Sequence, residues 1–324
     1  MDEKLFCFLD VLGFSSLVNG DEYEVSDIFN RLHLISHVAM IDQKIRESRN
    51  IPSNISNPAL KMELSGFENY QWGSDSMFAY GDCKDCDLFI SQIAHFIYAS
   101  FQQHIEYFSN LNFSNLKKKV PLLLLRGGIA LGEVNSVQMS AIFNKTPSHT
   151  VNVFGKAVLK AISYEKRIKG PRVFFDDAVY SKLCYSDTKE FVVHPYDIPN
   201  DEIYELLWPM IAFQKDNLIK YESTNELDKL DKLLGTAAYH FETYKSKSDH
   251  EKSHFDELVC LILRSAKQFY RVCDRLDLLY GYVEDLKTPN CVPNMGNICP
   301  VCKVNWDIEF RQYVINMFER FCLH

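Results

Sequence analysis

The run Phe6–Ser15, FCFLDVLGFS, constrains the fold more than any other stretch of the chain. An apolar, strand-like segment ends on one carboxylate, Asp10, then turns through Leu12, Gly13 and Phe14 into a serine-rich helix start at Ser15 or Ser16. A carboxylate between large apolar neighbours needs a partner, because burying a lone charge is costly. A bound metal ion meets that need. So does the plainer alternative, a buried aspartate that caps the following helix. The N–H groups at that helix start also suit a phosphate.

Composition narrows the partners. A chain of 324 residues that is 47% hydrophobic suits two unequal units with a sizeable core. Its formal net charge of −8 argues against nucleic acid or an anionic membrane as the main partner, and a small anionic ligand would then need a cation. The first strand-like run begins at Leu5, too early for a signal peptide. The longest apolar run, Val120–Leu125, contains Pro121 and stops at Arg126, far short of the roughly 20 residues of a membrane helix. A cytoplasmic protein is expected. The ten cysteines are scattered, which favours reduced thiols. Cys83/Cys86 and Cys299/Cys302 have the spacing of zinc half-sites, but they lie far apart, and the wider spacing of zinc ligands is not reproduced around Cys291, Cys322 and His324.

Periodicity predicts the order of elements. Glu24–Arg49 reads as an amphipathic helix through Ile28, Leu32, Ile35, Val38, Ile41 and Ile45, and Asn50–Pro58 as a loop. Glu68–Tyr80 reads as a hairpin around Gly73-Ser74-Asp75-Ser76, followed by a helix over Asp87–Asn110. Val120–Val134 has strand composition interrupted by glycines. A short strand Val151–Phe154, a helix Gly155–Lys169, a strand Arg172–Phe175 and a helix Asp177–Cys184 come next. The order β-α-β-β-α-β is that of a ferredoxin-like α+β sheet. Beyond Asn200 the patterns are helical, over Leu206–Phe213, Leu227–Tyr244, Phe255–Val283 and Trp306–Leu323, with no strand. Residues 1–199 are therefore expected to form the sheet domain and 200–324 an α-helical region, with the boundary at Pro199–Asp201.

Asp10 ends a strand and Asp75 sits at the bend of the next hairpin, so the two converge if those strands are neighbours. With the Val11 carbonyl they would form an oxygen-rich site suited to Mg²⁺ or Mn²⁺. Two such ions would bridge phosphates and activate a hydroxyl.

Four blocks in order, FLDVLGFS, YQWGSDSMF, RGGIALGEV and FGKAVLKAISYEK, make residues 5–195 resemble the class III nucleotidyl (adenylate/guanylate) cyclases. The resemblance implies an α+β catalytic domain working as a homodimer. It implies attack of the 3′-hydroxyl on the α-phosphate of a nucleoside triphosphate, giving a 3′,5′-cyclic nucleotide and pyrophosphate. Asp10 and Asp75 become metal ligands with Val11, and the backbone of Leu12, Gly13, Phe14 and Ser15 becomes the triphosphate cradle.

The departures matter as much. The family's helix Asn and transition-state Arg fall on Leu159 and Ser163, its adenine-reading Asp on Asn152, and its base-reading Lys on Asn69. These changes make the chain look like a bacterial Pycsar pyrimidine cyclase, which makes cyclic CMP or cyclic UMP for a separate effector in anti-phage defence. Asn69, Tyr70 and Asn152 are the candidate base contacts, since amides pair with base edges and a ring stacks. Arg126, Lys156, Lys160 and Lys166 are candidates for the missing positive charge, although a solvated helix face explains the lysines equally well. The rival readings are an ordinary adenylate or guanylate cyclase, an inactive cyclase-like nucleotide-binding module, and a carrier for a sensing module built from the C-terminal helices and Cys299/Cys302.

Overall fold

Strand β1 (Lys4–Val11) is an interior strand covered on both faces: Leu5, Cys7, Leu9 and Val11 are buried on one, while on the other Phe6 is buried and Phe8 and Asp10 are half-buried. This computed structural model describes residues 3–19, 66–73, 75–109, 122–143, 146–198, 202–213, 226–288 and 308–322. The expected helix Glu24–Arg49, the loop Asn50–Pro58, the boundary residues Pro199–Asp201 and Cys299/Cys302 lie outside them.

β1 pairs antiparallel with β3 (Ser76–Asp82) and with β4 (Leu125–Gly132), and β2 (Asn69–Gly73) pairs antiparallel with β3. The order β2-β3-β1-β4, all antiparallel, is that of a ferredoxin-like sheet, as the element pattern predicts. A short helix α1 (Phe14–Asn19) follows β1, and the long α2 (Cys86–Ser109) connects β3 to β4. Two strands, β5 (Asn135–Phe143) and β6 (Thr146–Phe154), form a separate ribbon. The expected short strand Val151–Phe154 is only the end of β6, and β5 matches no expected strand although Val137, Met139 and Ala141 alternate with Gln138 and Ser140.

Helix α3 (Lys156–Glu165) ends four residues before the expected Lys169 and lies on the Phe6 face of the sheet. Its approach to β4 is close at Gly128, where a Cβ would stand 2.3 Å from the Ala161 carbonyl oxygen. β7 (Val173–Asp176) adds parallel to β4, and a single turn, α4 (Asp177–Tyr180), replaces the expected helix to Cys184. Then come α5 (Ser186–Glu190), β8 (Val192–Val193) and β9 (Ile203–Leu206), giving the full order β2-β3-β1-β4-β7-β9-β8.

β9 corrects the expectation of no strand beyond Asn200. Glu205 lies just before the helical pattern expected from Leu206, yet in β9 it is fully buried and paired with two arginines. The sheet thus continues past the expected boundary. After a 3₁₀ turn (Trp208–Phe213) come α6 (Glu226–Lys245), α7 (Asp249–Val272), α8 (Leu276–Lys287) and α9 (Ile308–Cys322). The long helix expected over Phe255–Val283 is two, broken at Cys273–Arg275, where Asp274 takes φ 55°. One apolar cluster joins Leu9 of β1 and Phe89 of α2 to Trp208, Leu258 of α7 and Phe310 of α9. Among the described residues, no helix is long and apolar enough to cross a membrane.

His254 of α7 is buried and accepts a hydrogen bond from the Gly170 N–H at 2.9 Å through Nδ1. Burial first, then His250, Arg126 and Lys169, lower its pKa from 6.5 to about 4, opposed by Glu251. The unfolded chain therefore binds that proton first. Stability held by neutral His254 is complete above pH 6.5 and declines as pH falls toward 4, by at most about 3 kcal/mol. Urea unfolding at pH 7 and pH 4.5 checks this: the loss should shrink in His254→Asn, and an equal loss in the variant contradicts it.

Candidate active site

The strand register puts three polar side chains in a row on the α3 face: Ser76 of β3, Asp10 of β1 and Arg126 of β4, each the cross-strand partner of the next. Asp75 occupies the β2–β3 turn, and its carbonyl accepts the Val11 N–H at 2.9 Å, which fastens the turn to the end of β1. The Ser76 hydroxyl stands 3.5 Å from Asp10 Oδ1 and 3.4 Å from Asp75 Oδ1. Two carboxylates thus meet at one hydroxyl.

Arg126 is shared. Its Nη2 lies 3.5 Å from Asp10 Oδ2, its Nε pairs with the buried Glu165 carboxylate at 2.6 Å, and its Nη1 donates to the Ile168 carbonyl at 3.4 Å. Burial raises the Asp10 pKa to about 6, aided by Glu165 and Asp75 and opposed by Arg126 and Ser76. One guanidinium serving several acids leaves the site short of positive charge, and a divalent cation would supply it. The donor set of carboxylate and backbone oxygens fits Mg²⁺ or Mn²⁺. Among the described residues no group of three or more His, Cys, Asp or Glu gathers as a metal cluster, and the site itself brings two carboxylates, Asp10 and Asp75, to the Ser76 hydroxyl.

The turn behind Asp10 is partly committed. The Leu12 N–H is bonded to the Leu124 carbonyl at 2.8 Å, so it is not a free phosphate donor, and the Gly13 carbonyl accepts from Leu17 at 3.0 Å to start α1. Gly13 and Ser15 are exposed, and Phe14 packs partly on the core.

The base candidates separate. Asn69 lies opposite Tyr80 with its Nδ2 3.5 Å from the phenol oxygen, level with Phe6 and about 13 Å along β1 from Asp10. Tyr70 faces the opposite side of the sheet, packed with Trp72 against the main core, so it does not share a surface with Asn69. Tyr80 does, and its hydroxyl reaches Ser136 Oγ at 3.4 Å, tying the base of the β5–β6 ribbon to β3. Asn152 is exposed on β6, opposite Val137.

On α3, Leu159 is 72% exposed and the Ser163 hydroxyl donates to its own helix at the Lys160 carbonyl, 2.7 Å away. Lys160 is ion-paired with Asp176, whereas Lys156 and Lys166 are exposed. Sequence reasoning missed Glu165, Tyr80 and Ser76, whose importance comes from cross-strand and helix-to-strand contacts. Cys86 is a buried thiol whose pKa is pushed up to about 12, chiefly by burial, which makes it unreactive.

No protein-family model and no curated protein matches the chain. Among solved structures it is similar to a bacterial light-regulated adenylyl cyclase, with TM-score 0.39 and 18% identity, covering 70% of this chain and 55% of that one. The chain thus spans about half the length of that relative. It is also similar to the adenylyl cyclase CyaB from P. aeruginosa, with TM-score 0.38 and 14% identity, covering 63% of this chain and 93% of that one. The guanylyl cyclase domain of the RhoGC fusion protein from the aquatic fungus Blastocladiella emersonii gives TM-score 0.37 and 14% identity, covering 64% of this chain and 97% of that one.

Proposed function

We propose that the protein is a class III nucleotidyl cyclase that converts CTP or UTP to the 3′,5′-cyclic monophosphate and pyrophosphate. The observation that carries this reading is the meeting of Asp10 and Asp75 at Ser76, with Arg126 alongside, at one end of a β2-β3-β1-β4 sheet. Asp10, Asp75 and the Val11 carbonyl would hold Mg²⁺ or Mn²⁺, which when bound lowers the pKa of a 3′-hydroxyl and screens the phosphates. Arg126 sets positive charge where the α-phosphate and the leaving pyrophosphate develop negative charge. Leu159 cannot make such a contact, and the Ser163 hydroxyl is turned onto its own helix, so this duty falls to Arg126. The exposed backbone at Gly13 and Ser15 is the proposed triphosphate contact.

Asn69 and Asn152 are the proposed base contacts, replacing the family's Lys and Asp. Amide groups suit a pyrimidine edge, which presents both donor and acceptor. Val137 and Phe154 of the β5–β6 ribbon and Leu159 of α3 are exposed apolar side chains, and Phe8 and Phe78 on the α3 face of the sheet are only partly buried. A second copy of the chain is the proposed cover, and a dimer mass in sedimentation is expected. On this reading the product is read by a separate effector in anti-phage signalling in the cytoplasm.

Purified protein incubated with each of the four ribonucleoside triphosphates and Mn²⁺ tests base choice. Cyclic CMP or cyclic UMP should dominate, and a clear preference for ATP or GTP overturns the pyrimidine assignment. The exposed Leu159 and the Ser163 hydroxyl bonded to its own helix favour one second reading, an inactive cyclase-like module that binds nucleotide.

A further inference from the structure

The turn between α3 and β7, residues 166–172, holds Arg126 from one side and is held by the C-terminal half of the chain from the other. On the site side, the Ile168 carbonyl accepts from Arg126, Glu165 at the end of α3 pairs with its Nε, and the Arg172 carbonyl accepts the Gly127 N–H at 3.0 Å. On the far side each successive residue has a C-terminal partner. Gly170 donates its N–H to His254 of α7, the Pro171 carbonyl accepts from the Trp208 indole at 2.7 Å, and Arg172 pairs with Glu205 of β9 at 2.7 Å.

The contact with α7 is tight. Gly170 has φ +74°, and a Cβ there would stand 2.2 Å from the Glu257 Cβ, so α7 rests directly on the turn. Arg172 is 1% exposed and also reaches Glu257, while Arg264 of α7 closes the same network through Glu205 at 2.8 Å. The acceptor role of His254 Nδ1 places the ring proton on Nε2, which faces His250 Nε2 at 3.3 Å. His254 is thereby fixed in one tautomer. These contacts reach the site on β4, at the Arg126 guanidinium through Ile168 and at the neighbouring Gly127 N–H through Arg172.

We propose that His254 is a positioning residue for Arg126: α7 clamps the 166–172 turn, and the turn sets the guanidinium against Asp10. The helical C-terminal region then controls the site without touching substrate, because loosening the clamp lets Arg126 leave its place. The functional half of this inference rests on the cyclase reading above; the structural half does not.

The test uses the full chain and two readouts. Hydrogen exchange needs no activity: His254→Ala should speed exchange across residues 165–172 and at Gly127 by about tenfold, with α8 unchanged. Unchanged exchange at the turn and at Gly127 overturns the clamp whatever the activity. In the cyclisation assay, His254→Ala should lower kcat by about tenfold with KM nearly unchanged, His254→Asn should restore it through its side-chain carbonyl, and the effect should vanish in an Arg126→Lys background. A full His254→Ala effect in that background overturns transmission through Arg126. His250→Ala, on the exposed side, loosens the same ring without opening a cavity and should give a smaller change of the same sign, so a poorly folded His254→Ala still leaves a decision. A wild type that makes no cyclic nucleotide, together with the expected exchange change in His254→Ala, overturns the cyclase reading and leaves the clamp standing.

Discussion

Asp75→Ala and Asp10→Asn each leave the sheet folded and lower cyclic nucleotide formation by about a thousandfold or more. The folding half follows from placement. Asp75 sits in a turn where its backbone carbonyl, which the substitution keeps, makes the bond to Val11. Asp10 is a carboxylate held at a raised pKa by burial, so exchanging it for an amide of the same shape removes a desolvated charge. The activity half follows from the chemistry, since neither alanine nor an amide supplies a carboxylate to a divalent cation. Product formation per folded protein, with unfolding midpoints measured beside it, checks both halves. Full activity in either variant removes that residue from the site.

Arg172→Met costs about 3–5 kcal/mol of stability, the largest effect expected from a single change outside the site. Arg172 is 1% exposed, Glu205 is fully buried, and the guanidinium also binds Asp197 through paired contacts of 2.8 Å and faces the rings of Phe174 and Tyr196. Methionine fills much of the space but leaves the buried Glu205 to Arg264, which pairs with its Oε2 at 2.8 Å. A buried charge that loses half its partners costs more than the pair ever contributed. Urea unfolding at neutral pH measures the loss. Glu205→Gln in the Arg172→Met background should recover part of it, because the uncompensated charge is then gone, and no recovery contradicts the assignment.

Much of the sheet was legible in the sequence, for stated reasons. The apolar run FCFL ending on Asp10 and the turn residues around Asp75 specify β1 and the hairpin, and adjacent pairing then brings Asp10 and Asp75 together. The side that Tyr70 faces is legible too, since strand alternation alone puts it opposite Asn69 and against the main core. Other features were hidden because their cause is tertiary. IYEL shows its strand character only once two arginines neutralise Glu205. The break between α7 and α8 has no glycine or proline to announce it, and Asp274 takes the positive φ instead. Glu165 sits among the polar residues of an amphipathic helix and gains its role only when the α3 end meets β4. The C-terminal helices read as packing, and only the contacts of Gly170, Pro171 and Arg172 tie them to the site.

The central claim is that the Asp10–Asp75 site cyclises a nucleoside triphosphate. Its most direct test is a time course with Mn²⁺ in which 3′,5′-cyclic nucleotide and pyrophosphate are quantified together for the wild type and Asp75→Ala. The account predicts equal amounts of the two products from the wild type and essentially none from the variant. No cyclic product from the wild type with any of the four nucleotides, or undiminished product from Asp75→Ala, would contradict it.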